Sequence, residues 1–297
     1  MKVRLAVLGA IAVLGFCVQP AKAAEASPPA FEIERSAVHT IESAVAKRRY
    51  GIFVKTPPGY DDPANAGRRY PVIYMTDGPY TFQVASGISR LLFSQKKMEE
   101  FILVGIGYAE GESGTASRNR DLTPWTNPNN PGIGGAAAFL KFIRTDAMPE
   151  LERLYRIDPA RRTLAGQSYG GLFGLWVALT EPELFSSYIL TSPSIWYARK
   201  ALLELEARYA AKNKDMRAAI YFAIGSFETV NPASDDPRYL ATNDMVGDQQ
   251  EMAKRLQSRN YPGLRVRSDV IEGTVHETTF PVGLIHALHW LFPYLGK

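Results

Sequence analysis

A chain of 297 residues with an apolar fraction of 46% is long enough to bury one large core and ordinary in composition for a globular protein. Its formal charge of +4 and its single cysteine, Cys17, both draw on the first 23 residues. With that segment set aside, the chain has no thiol nucleophile, no disulfide and no electrostatic case for a nucleic-acid or membrane partner.

The first 23 residues read as a secretory signal peptide. Lys2 and Arg4 open it, an apolar run over 5–18 follows, and Ala21-Lys-Ala23 has the small-x-small form of a cleavage site. The apolar run is too short for a membrane anchor. Phe16 stands where lipid attachment at Cys17 would want a small residue. Cleavage leaves 274 residues and a formal charge of +1, because Lys2, Arg4 and Lys22 leave and no acidic residue does. The expected location is periplasmic or secreted, and no repeat or low-complexity tract divides what remains, so a single domain over 24–297 is expected.

Short β-rich runs then alternate with helical patterns, which predicts a mostly parallel central sheet flanked by helices on both faces. Segments 31–43 and 49–56 alternate polar with apolar and end at Pro57-Pro-Gly, as an antiparallel pair would. Runs at 71–76, 101–108, 162–166, 187–191, 219–225 and 264–271 are near-continuously apolar, the pattern of strands buried on both faces. Helical length and spacing appear at 135–154, 170–180, 199–212, 244–259 and 282–295. In such a sheet ligands sit beyond the carboxyl ends of the parallel strands, so functional residues are sought just after each strand.

Residues 166–171 read Gly-Gln-Ser-Tyr-Gly-Gly between a strand and a helix. Gly-x-Ser-x-Gly in that setting is a nucleophile elbow of the α/β-hydrolase fold, with Ser168 as nucleophile on a strained turn that Gly166 and Gly170 make sterically feasible. The same turn sets the backbone N–H of Tyr169 at a helix N-terminus, as one oxyanion donor.

A serine hydroxyl needs a general base, and the chain has four histidines. His286 and His289 lie three apart in a helical run without a third ligand for a metal, and His39 lies in the N-terminal strand pair. His276 is left, after the last strand, where the order serine, acid, histidine places the base. The acid lies between them in sequence. Glu228 directly follows the strand 219–225; Asp248 opens the next helix with Asp244, where helix capping competes as an explanation. A dyad without an acid is the third arrangement open. No metal or cofactor is called for by this chemistry.

The stretches Pro71-Val-Ile-Tyr-Met-Thr-Asp-Gly78, Arg118-Asn-Arg-Asp-Leu-Thr-Pro124, 162–172 around Ser168, Ser192-Pro-Ser-Ile-Trp196 and the segments at Glu228 and His276 together resemble an esterase family. That family includes S-formylglutathione hydrolases, mycolyltransferases, feruloyl esterases and enterobactin-type siderophore esterases, and the chain is most similar to the periplasmic siderophore-lactone branch. The resemblance implies that Asp77-Gly78 and the next residue shape the second half of the oxyanion hole. Here that next residue is Pro79, which has no N–H, so the donor falls to Gly78 or Tyr80 or is missing. Trp196 is a candidate pocket wall, with core packing as the competing account. Arg118 and Arg120 are candidates for holding an anionic substrate such as an iron-loaded catecholate, with an ion pair to Asp121 or a neighbour competing. The functions implied are hydrolysis of a small-molecule ester through an acyl-enzyme, acyl transfer from the same intermediate, or ligand binding without catalysis.

Overall fold

The computed structural model describes residues 30–294 and 296. The leader expected over residues 1–23 lies outside the described residues. From Ile33 onward the chain forms one compact unit.

An eight-stranded sheet runs in the order β1-β2-β4-β3-β5-β6-β7-β8. Strands β1 (Ser36–Ser43) and β2 (Arg48–Lys55) pair antiparallel, and β2 joins β4 (Ile102–Ala109) antiparallel. All further pairs are parallel, through β3 (Tyr70–Met75), β5 (Ile157–Gln167), β6 (Ser187–Thr191), β7 (Ala218–Gly225) and β8 (Leu264–Ile271).

The period-two alternation of strands divides the core into two layers. In β3, Val72 and Tyr74 face one layer, while Ile73 and Met75 face the other. The first layer is closed by α3 (Ala136–Phe142), α5 (Tyr169–Thr180), α6 (Tyr197–Lys212) and α7 (Met245–Ser258); the second is closed by α1 (Gly78–Ser94) and α8 (His276–Leu291). Helix α5 sits deepest: Leu172, Phe173, Leu175 and Val177 have no exposed surface. Each such side chain contributes roughly 1.5–3 kcal/mol by burial, so the helix that carries the elbow is firmly anchored.

Four sequence expectations are corrected. Strand β8 is an edge strand with Arg265 and Arg267 exposed on one face and Val270 on the other, so neither face is fully covered. The helix expected over 135–154 is interrupted by a π-helical turn, Ile143–Ala147, before α4 (Met148–Leu154), where Pro149 cannot donate to the preceding turn. Helix α8 begins at His276, six residues before the expected start, and carries Pro281 in its second turn at the loss of one backbone hydrogen bond. Two helices are new: α1, whose first turn holds Pro79, and α2 (Gly114–Asp121), whose buried residues are only Ser117 and Asp121.

Candidate active site

Ser168 lies between β5 and α5 at φ 58°, ψ −115°, a conformation that costs a non-glycine residue on the order of 1–3 kcal/mol. The bend is close enough that a Cβ on Gly166 would collide with the backbone of Gly170, and one on Gly170 with Thr76 Oγ1. The serine is fixed by its own backbone: its N–H donates to Thr191 O at 3.0 Å, and its carbonyl accepts from Leu172 N at 2.9 Å and Ser194 N at 3.2 Å. Its hydroxyl lies 3.4 Å from Ser194 Oγ.

His276 is the first residue of α8, and its Nδ1 is 2.6 Å from Glu228 Oε2. Glu228 is brought there by a tight turn after β7, closed by Glu228 N donating to Gly225 O at 3.0 Å. Its carboxylate is 1% exposed. Oε1 accepts from Ser192 Oγ at 2.7 Å, Thr279 Oγ1 at 2.8 Å and Gly225 N at 2.9 Å. Burial acts to raise the Glu228 pKa, but the hydrogen bonds from His276, Ser192 and Gly225 outweigh it and hold the carboxyl below its ordinary value. The competing acid, Asp248, is buried elsewhere, 2.6 Å from Lys200 Nζ, and Asp244 caps α7 by accepting from Gly247 N at 2.9 Å.

The β3–α1 turn abuts the elbow. Asp77 adopts the left-handed conformation (φ 56°) and leads into α1. A Cβ on Gly78 would fall 2.8 Å from backbone atoms of Gly105 and Ile106, so only glycine lets the turn approach β4 this closely. Tyr80 N–H is engaged with Asp77 O at 2.9 Å, and Pro79 has none to offer. Gly78 and Tyr169 are the first residues of α1 and α5, where N–H groups have no partner within their own helix and the helix dipole favours negative charge.

A cavity of about 430 Å³ joins these parts, lined by Tyr80, Arg118, Gln167, Ser168, His276 and Glu277. Arg118 Nε donates to Asp77 Oδ1 at 2.8 Å, and Nη2 donates to Gln167 O at 3.2 Å. Tyr108 OH donates to the same Asp77 oxygen at 2.9 Å. The Gln167 side-chain amide hydrogen bonds to His276 O, so one chain of contacts ties the β3–α1 turn, the elbow and the histidine together.

Two pocket expectations are corrected. Arg120 points away from the cavity to Asp121, at 2.9 and 3.0 Å, and to Glu112. Residues two apart on a helix are about 200° apart around the axis, so Arg118 and Arg120 cannot share a face. Trp196 does not line the cavity; it packs on Tyr169 and Tyr197, with ring centroids 6.3 and 6.2 Å away. The sequence reading missed Tyr80 and Glu277 as lining residues, and Ser192 and Thr279 as partners of Glu228. Thr279 carried one usable signal, its i+3 spacing from His276 on the helix that the acid must meet.

A second cavity of about 610 Å³ lies by the β1–β2 turn, where Arg48 and Arg49 pair with Glu112 and Glu110. None of its lining residues is a serine, threonine, cysteine or histidine. Among the described residues, no group of three or more histidines, cysteines and acids could hold a metal ion.

The Esterase family model matches residues 43–291. The ferri-bacillibactin esterase BesA of Bacillus subtilis is 31% identical over 276 residues, 88% of this chain and 91% of that protein. The siderophore triacetylfusarinine C esterase of Aspergillus fumigatus is 33% identical over 190 residues, 62% of this chain and 65% of that protein. Among solved structures, the BES protein of Bacillus cereus aligns with a TM-score of 0.75 at 27% identity, covering 90% of this chain and 98% of its own. The matched span holds the elbow, Glu228 and His276, and with an α/β-hydrolase fold around them the chain belongs to the Esterase family and is a carboxylic ester hydrolase.

Proposed function

We propose that the chain hydrolyses siderophore lactones or similar small-molecule esters through an acyl-enzyme on Ser168. His276 takes the hydroxyl proton as the serine attacks, returns it to the departing alcohol, and then activates water to release the acid. Glu228 orients the imidazole and balances its charge in the transition state. The N–H groups of Tyr169 and Gly78 receive the oxyanion. The observation that carries this reading is the joint placement of a strained serine and a carboxylate-bound histidine on one cavity. The siderophore class is supported by the substrates named for the two curated relatives. Arg118 lines the cavity, which supports a role for it in meeting a polar substituent of the substrate.

The reading includes a leader over residues 1–23, removed on export to the periplasm or beyond, and one catalytic domain after it. A mature protein beginning at Ala24, found by mass in the periplasmic fraction, is the expected result. For the chemistry, an activated short-chain ester should give a burst of alcohol, and a serine-directed phosphonate should label Ser168. Ser168→Ala should lower kcat by at least about 10⁴-fold; full turnover in that variant would sink the proposal. Product masses from a panel of siderophore lactones, feruloyl esters and simple acyl esters identify the substrate class.

A further inference from the structure

Glu228 is enclosed by groups whose role the esterase reaction does not by itself explain. Ser192, Glu228 and Thr279 are 0%, 1% and 0% exposed, so water cannot solvate the carboxylate. Every stabilising donor must therefore come from the protein. Among the described residues, His276 is the one side chain facing it that can take up a positive charge. The other charged groups on packed elements are engaged elsewhere or turned outward: Asp244 with Thr229 and its own helix, Asp248 with Lys200, and Glu277 at the cavity. Neutral hydroxyl and N–H donors on Oε1 thus carry the load.

Ser192 stands out in its backbone. It follows β6 at φ 45°, in the left-handed region that favours glycine, and its N–H is tied to Ala223 O at 2.7 Å. A glycine would make the same turn without the strain, so what serine adds at this position is its hydroxyl. Proton accounting separates the two hydroxyls. Ser192 Oγ has one proton and donates it to Glu228, whereas Thr279 Oγ1 divides one proton between Glu228 and Val275 O at 3.0 Å.

We propose that Ser192, with Thr279 as a weaker second, is a positioning residue whose hydroxyl keeps the Glu228 carboxylate ionised and its other oxygen aimed at His276. This rests on the reading of Ser168, His276 and Glu228 as the working triad. Removing a donor leaves more negative charge on the carboxylate, so the acid–imidazole pair becomes a stronger base and takes up its first proton at higher pH. The acid limb of the kcat/KM profile then moves upward.

The test is the pH dependence of kcat/KM for p-nitrophenyl acetate in Ser192→Gly, Thr279→Val and Thr279→Ser, with melting curves for each. Glycine suits the backbone at 192, so Ser192→Gly should fold, with the relief of strain offsetting part of the lost hydrogen bond, while its acid limb rises by about half a pH unit. Thr279→Val should raise it by less, and Thr279→Ser should bring it back. An acid limb unmoved in Ser192→Gly overturns the inference, and so does a Ser192→Gly protein that cannot fold. Full turnover in Ser168→Ala would instead remove the triad reading beneath it, so the two failures are told apart.

Discussion

Two carboxylates flank Ser168, and they are built differently. Glu228 is sealed on one side of the cavity, and its partner is an imidazole that can gain and lose a proton. Asp77 is sealed on the other side, and its partner is a guanidinium that stays charged at any working pH. The first pair is suited to moving a proton; the second can only hold geometry. The difference predicts that damage to the Glu228 side changes the pH dependence of the reaction, while damage to the Asp77 side changes its rate alone.

The largest expected effect is on the Glu228 side. Glu228→Gln keeps the shape of the side chain but offers His276 an amide, which cannot balance imidazolium charge; kcat should fall by about 10³- to 10⁴-fold. Stability should respond as well. Because the folded-state pKa of Glu228 lies below its ordinary value of 4.5, its ionised form contributes stability that is present above that pH and is lost as pH falls below it. The variant should lack that acid-side loss, and denaturant melts between about pH 3 and 6 measure it. A kcat within tenfold of the parent would mean that the pair is structural and a serine–histidine dyad does the work.

Asp77→Asn probes the other side. Asparagine accepts the left-handed conformation that Asp77 adopts, so the turn before Gly78 should survive while the charge facing Arg118 is lost. An approximately tenfold fall in kcat/KM is expected, with the acid limb in place. An acid limb that moved as far as in Ser192→Gly would erase the distinction between the two carboxylates.

Much of this site can be read from residue order, and the exceptions have a physical pattern. Strands β3 to β7 announce themselves because burial on both faces demands apolar runs, and the elbow because its glycines answer a steric need visible in five residues. His276 follows from chain order. Helix α2 escapes because a helix that buries Ser117 and Asp121 has no apolar stripe to detect, and with it goes the direction of Arg118 and Arg120. Ser192 escapes because a left-handed serine looks like any loop residue until the turn that strains it is seen. Residue order points to the groups proposed to react, whereas most of the groups packed around them, Ser192 above all, are set by tertiary contacts with little local signature.

Arg120 supplies the smallest effect on activity and a clean contrast with Arg118, two residues away. It is paired with Asp121, a buried carboxylate that also accepts from Ser117 Oγ at 2.9 Å and Tyr50 OH at 3.1 Å. Burial raises the Asp121 pKa above its ordinary value of 3.8 despite these partners. Arg120→Ala should therefore leave kcat/KM within about twofold, because the residue faces away from the cavity, while near neutral pH it removes about 2 kcal/mol of stability by stranding a buried charge. The sign of the pH dependence follows from the raised pKa. Without the arginine that pKa climbs further, so the penalty is absent below the ordinary value, grows as pH rises through the folded-state value, and shrinks again when acid protonates Asp121. Melts at pH 4.5 and 7.5 should show the variant closer to the parent at the lower pH. A loss of activity as large as that of Asp77→Asn would instead place Arg120 in the same supporting network as Arg118.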